Sequence, residues 1–250
     1  MDIASAFSFD MSYCGPPPSP DTLWGRWNFD PVLLAGLLCV LGLAAFALRG
    51  AEPRRQLAFG GAWGIAALLF ISPICALTVA LFSARVGHHI VLTMVAAPLL
   101  AFALPVRWRH GANLLPALSV STMALWLWHV PDFYASAFMH PALYWAMQLS
   151  LLSSFVWLWL GLLRSPNPLA AGVTALASAT QMGLLGALLV FAPQPLYLPH
   201  LATTLAFGLS PVDDQQLGGL IMWVPANLPL LAVVLWRLVD VLQPDRSAAR

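Results

Sequence analysis

Residues 142–163 read ALYWAMQLSLLSSFVWLWLGLL, without one charged side chain, and Arg164 follows directly. The length matches the ~20 apolar residues with which a helix crosses the hydrocarbon of a bilayer. Similar runs lie on both sides of it, at 31–48, 57–81, 88–104, 112–130, 169–192 and 217–239. Pro116, Ser119, Ser121 and Thr122 dilute the 112–130 run, but its end, Ala124 to Trp128, is strongly apolar. The whole chain of 250 residues is 60% hydrophobic and 8% charged, far below the ~25% charged residues that solvate a globular surface. These features predict an all-α, polytopic membrane protein, a seven-transmembrane-helix bundle. An extracytoplasmic arm (1–30) precedes the membrane domain (31–242), and a cytoplasmic tail (243–250) follows it. The arm carries Asp2, Asp10, Asp21 and the Pro16 to Pro18 run, and lacks the basic start and apolar centre of a secretory peptide.

Arginine sets the expected orientation. With the N-terminus outside and the C-terminus cytoplasmic, Arg49, Arg54, Arg55, Arg107, Arg109, Arg164, Arg237, Arg246 and Arg250 fall at cytoplasmic loops or ends, and only Arg26 and Arg85 fall outside. The net charge of +1 and the lack of a basic stripe give no sign of nucleic-acid binding.

In that frame the histidines are asymmetric. His88 and His89 open the third run from outside, His129 closes the fourth, His140 precedes the fifth and His200 lies in the outer connection; His110 alone is cytoplasmic. Cys75, Cys14, Met139, Met147 and Met222 also lean outward, while Met94 and Met182 sit nearer the middle of the membrane. Imidazole, thiolate and thioether together suit copper, Cu(I) in particular, better than a hard cation. Asp132, three residues after His129, is placed to accept the second N–H of that imidazole. The candidate metal set is therefore His89, His129, His140, His88, Asp132, Met139 and Cys75. Adjacent helical residues diverge by about 100°, so His88 and His89 cannot both face one point, and His89 is the one expected to face inward.

Each residue also has an ordinary structural reading. A single imidazole at a membrane interface is common, His129 before Pro131 can satisfy a free carbonyl of its last turn, and Asp132 can cap a short helix. Clustering is what favours a site. Cys39 reads as a small buried apolar residue. Cys14 and Cys75 can bridge in an oxidising compartment or hold metal, and their wide spacing favours the bridge. Gln148 and Gln181 read as hydrogen-bonding groups between helices, and Pro225, Asn227 and Pro229 mark an interruption in the last run.

Three segments stand out together: Phe82 to Ala84 running on to Pro98, Leu99 and Leu100; Leu127-Trp128-His129-Val130-Pro131-Asp132-Phe133-Tyr134-Ala135-Ser136-Ala137; and Asp214-Gln215-Gln216-Leu217-Gly218-Gly219-Leu220-Ile221-Met222-Trp223. In combination they resemble the CtaG family of multi-spanning cytochrome c oxidase assembly factors. The arm, with Tyr13-Cys14-Gly15 and Arg26 to Pro31, is similar to that of proteobacterial members. The resemblance implies a bacterial cytoplasmic (inner) membrane, haem-copper oxidase subunits as partners, and copper received from a periplasmic donor and passed on. Many members carry His and Met where this chain has Arg85 and Val86. The resemblance therefore transfers best to His89, His129 and His140, with His88 a local substitute and Arg85 free to meet an anionic lipid or an acidic partner. A carrier must exchange its ligands, so a shallow, accessible site is expected, releasing copper at low pH, where protonated imidazole cannot ligate.

Other classes fare less well. A retinal protein needs a Schiff-base lysine, and the chain contains none. No Gly-x-Ser-x-Gly elbow, phosphate loop or His-Glu-x-x-His motif supports an enzyme. A transporter would call for acidic residues at mid-membrane and internal repeats. The alternatives that stay open are a membrane haem protein with His89 and His129 as axial ligands, and a metal-free structural assembly partner.

Overall fold

Proline opens most of the helices. Pro31, Pro53, Pro73, Pro131, Pro141, Pro168 and Pro211 each occupy a first helical position, where the missing N–H would have no intrahelical partner and the fixed φ is already helical. The computed structural model describes residues 12–105 and 113–243, and among these residues there is helix and turn but no strand. The helices are α1 (Pro31–Ala47), α2 (Pro53–Ile71), α3 (Pro73–Ala80), α4 (Phe82–Val91), α5 (Ala97–Ala103), α6 (Leu114–His129), α7 (Pro131–Met139), α8 (Pro141–Arg164), α9 (Pro168–Phe191), α10 (Pro211–Trp223) and α11 (Leu228–Leu242). His110, Arg107, Arg109, Asp2, Asp10 and the tail from 244 onward lie outside the described residues.

Four helical stretches are long and apolar enough to cross a membrane: Phe82–Ala103, Pro141–Arg164, Pro168–Phe191 and Pro211–Leu242. Counting each bent pair as one span, α2 with α3 (56°) and α6 with α7 (75°), raises the number to six. The expected seven are thus reached only if α1, 17 apolar residues long, also spans. The run boundaries differ as well. The third span begins at Phe82 rather than 88, because the carboxylate of Asp214 supplies an N-terminal cap that the sequence of α4 lacks. Arg85, expected in an outer loop, therefore lies within a spanning helix.

Two local devices shape the third span. Leu92–Ala96 forms a widened π turn between α4 and α5. Pro98 has no N–H to offer the carbonyl five residues back, and that carbonyl, on Thr93, accepts instead from Trp159 Nε1 at 2.9 Å. At the far end, Arg55 donates to the carbonyl of Ala103 at 2.7 Å, and Arg164 donates to those of Leu104 (2.7 Å) and Pro105 (3.0 Å). These arginines, read first as topology signals, also satisfy carbonyls that a helix end leaves open.

The tightest seam joins α9 and α10. A Cβ added at Gly186 would meet the carbonyl oxygen of Gly219 at 2.8 Å, and one at Gly219 would meet that of Gly186 at 2.7 Å. Only glycine permits so close an approach of two backbones. One residue earlier on α10, Gly218 faces the ring of Phe82, 2.7 Å from where its Cβ would be.

A disulfide between Cys14 and Cys75 fastens the arm to α3. Beside it Tyr13 stacks on Tyr144, with centroids 4.8 Å apart, and donates to Asp30 at 2.6 Å. That hydrogen bond, with a second from the Val32 amide, holds the Asp30 carboxyl below the usual range. Asp30 also caps α1 by accepting from Val32 N at 2.9 Å.

Candidate functional site

The site begins with the cap on α4. Asp214, fully buried in the first turn of α10, accepts from Phe82 N at 2.6 Å, from Ser83 N at 3.2 Å and from the Ser83 hydroxyl. A carboxylate at a helix N-terminus meets both free amides and the positive end of the dipole. It fixes α4 against α10, and α4 carries Arg85, His88 and His89.

From there His89 (α4), His129 (α6), Met182 (α9) and Met222 (α10) converge on one small cavity of about 10 Å³, whose other walls are Val86, Ile90, Thr93, Leu125 and Leu151. The volume is about that of one water-sized sphere. Two imidazoles and two thioethers from four helices thus share a space that would admit an ion.

The ring nitrogens are set by their neighbours. His129 Nδ1 lies 2.7 Å from the carbonyl of Leu125. Since a carbonyl only accepts, Nδ1 carries the proton and Nε2 keeps its lone pair. Gln148 meets Nε2 of His89 at 3.2 Å. The amide nitrogen of Gln148 faces that ring nitrogen; with the amide turned to present Oε1 instead, Nε2 of His89 carries the proton and Nδ1 keeps its lone pair. Each imidazole then keeps one nitrogen with a free lone pair, its ring held through the other nitrogen by Leu125 or Gln148.

The remaining candidates lie elsewhere. His88 turns away from the cavity, edge-on to Phe70 at 5.1 Å between centroids, with neither ring nitrogen hydrogen-bonded. Asp132, Met139 and His140 are exposed on α7 and at its end, and none lines the cavity. The expected Asp132–His129 bond is replaced by the Leu125 carbonyl, which the helix offers one turn back on the same chain. Cys75 is bonded to Cys14, so its sulfur is no thiolate and leaves the metal-ligand set. Among the described residues no three His, Cys, Asp or Glu side chains group to hold a metal; the cavity is lined by one histidine pair and two methionines. Nor is it shallow. His89 and His129 are each 8% exposed, and Tyr197, from the connection between α9 and α10, donates to the carbonyl of His129 at 3.0 Å. His200, in the same connection, is buried and bonded to the Tyr134 hydroxyl at 2.6 Å.

Reading the sequence did not bring Met182 and Met222 into the ligand set. The usable signal was the pattern around them: Met182 lies one helical turn before Gly186, and Met222 nearly one turn after Gly219 and Gly218, so the glycine seam that joins α9 to α10 also aligns the two sulfurs.

An all-helical membrane protein with a buried imidazole and thioether cavity is the class these features define. Residues 37–243 match the family model of the cytochrome c oxidase caa3 assembly factor, and the chain belongs to that family. No curated protein and no solved structure matches it.

Proposed function

We propose that the chain serves oxidase assembly by carrying Cu(I) as cargo between His89, His129, Met182 and Met222 and yielding it to a haem-copper oxidase subunit. The convergence of two imidazoles and two thioethers on one ion-sized cavity carries this reading. Soft neutral donors favour Cu(I) over Zn²⁺ or Mg²⁺, and the same cavity is far too small for a porphyrin, which favours copper over haem. With no thiolate in the set, the hold is weak enough for ligand exchange with an acceptor. His89 and His129 bind through their free nitrogens, and Gln148 and Leu125 keep those rings aimed. The burial of the cavity implies that copper from a periplasmic donor reaches it as the cover formed by Tyr197 and the outer connection parts.

The membrane frame proposed with it is seven spans in a bacterial cytoplasmic membrane, N-terminus outside. The arginine distribution supports it. The disulfide does too, since cystines persist outside the reducing cytosol and this one ties the arm to the end of the second span.

The test is Cu(I) affinity in detergent by competition with a chromophoric chelator. His89→Ala and His129→Ala are each expected to lose more than about tenfold, the loss seen even when outer partners of a metal ligand are removed. Met182→Leu and Met222→Leu lose less, and His140→Ala and Met139→Leu match the native chain. If all of these variants bind alike, the cavity is not the copper site.

A further inference from the structure

Arg85 is a full charge sealed inside the protein. It is 2% exposed and lies one helical turn before His89 on α4. Its guanidinium carbon stands 4.0 Å from the centroid of the Phe138 ring and 4.9 Å from that of Tyr134. Nη2 lies 3.8 Å from Met147 Sδ, and Nε has no hydrogen-bond partner. Among the described residues no carboxylate pairs with Arg85; the ion pair of Arg237 with Asp240 lies elsewhere, on α11. The buried carboxylate of Asp214 is engaged by the first amides of α4. Aromatic faces compensate a buried cation only in part, and Met147, which Arg85 touches, is the neighbour in sequence of Gln148, the partner of His89.

We propose that Arg85 is a charge filter for the cavity, setting its preference for a univalent over a divalent ion. This deepens the carrier reading and rests on it. The four ligands are neutral, so a bound ion brings its whole charge into a low-dielectric space that already holds one fixed positive charge. Coulomb repulsion scales with the charge of the ion. Cu(I) meets it once, Zn(II) or Cu(II) twice. The softness of the thioethers works in the same direction. Arginine suits the role because, unlike lysine, it keeps its proton when dehydrated. The same repulsion keeps Cu(I) exchangeable, as a carrier requires.

The experiment compares Cu(I) and Zn(II) affinities of the full-length native chain, Arg85→Met and Arg85→Gln in detergent. Two neutral replacements of different shape cover the case in which one of them fails to fold. Cu(I) affinity is expected to rise about tenfold or more in both, and Zn(II) affinity by about the square of that factor. A change in packing would move both ions by the same factor, so equal factors, or no change for Cu(I), overturn the filter and leave the carrier reading standing. Absence of Cu(I) binding by the native chain brings down the carrier reading, and the filter with it.

Discussion

The carbonyl of Leu125 decides which nitrogen of His129 stays free, and the choice is written in the chain only as a four-residue separation on one helix. His200 shows the same dependence on a neighbour. Burial, then the field of Arg85, lowers its pKa from 6.5 to about 3 in the folded protein. The unfolded chain binds a proton there below pH 6.5 that the folded chain refuses, so stability from this group is complete above 6.5 and is lost as the pH falls toward 3. Thermal unfolding followed from pH 7 to pH 4 should therefore show a shallower loss in His200→Phe than in the native chain. Equal slopes would mean that this imidazole does not resist protonation. The inward turn expected of His89 was legible in the sequence, with His88 left out of the cavity. What was not legible is the partner of each cavity imidazole: Asp132 sits closer to His129 in sequence than Leu125 does, yet the helix geometry gives the bond to Leu125.

At the scale of elements, the seam between α9 and α10 carries the most geometric demand. Gly219→Ala places a methyl group 2.7 Å from the Gly186 carbonyl oxygen, and backbone cannot yield as a side-chain tip can. The substitution is expected to cost about 1–3 kcal/mol, read as a lowered thermal midpoint, and to weaken Cu(I) binding by shifting Met222 from Met182. Gly60→Ala on α2, where an added Cβ meets nothing within 4 Å, should leave both unchanged. Helix positions were largely readable because each apolar run is long and proline marks most starts. The breaks were less so. Pro73 and Pro131 sit inside or just beyond apolar runs, and hydropathy alone does not distinguish a bend of 56° or 75° from the end of a span. The start of α4 was missed for a different reason: its cap comes from Asp214, more than a hundred residues downstream.

For the whole molecule, orientation is the statement on which the proposed path of copper depends. In a Cys39→Ala background, single cysteines at Ser19 and Gln243 should divide cleanly: a membrane-impermeant maleimide added to intact cells labels the first, and the second only after permeabilisation. Labelling of both in intact cells would place the termini on one side and remove the outer surface as the site of delivery. The composition foretold the membrane and the family resemblance foretold the assembly role. Neither could show that the candidate histidines divide between a sealed interior and an exposed rim, since that follows from the packing of four separate helices. The cystine that pins the arm beside Tyr144 has a further consequence for the life history of the protein. Under the proposed orientation, newly made chains inserted into the bilayer still carry Cys14 and Cys75 as thiols, and they reach their finished shape only after an oxidant outside the cytosol has taken two electrons from them. Supply of this assembly factor, and through it of mature oxidase, would thereby be tied to the thiol-oxidising capacity of the compartment that the arm faces.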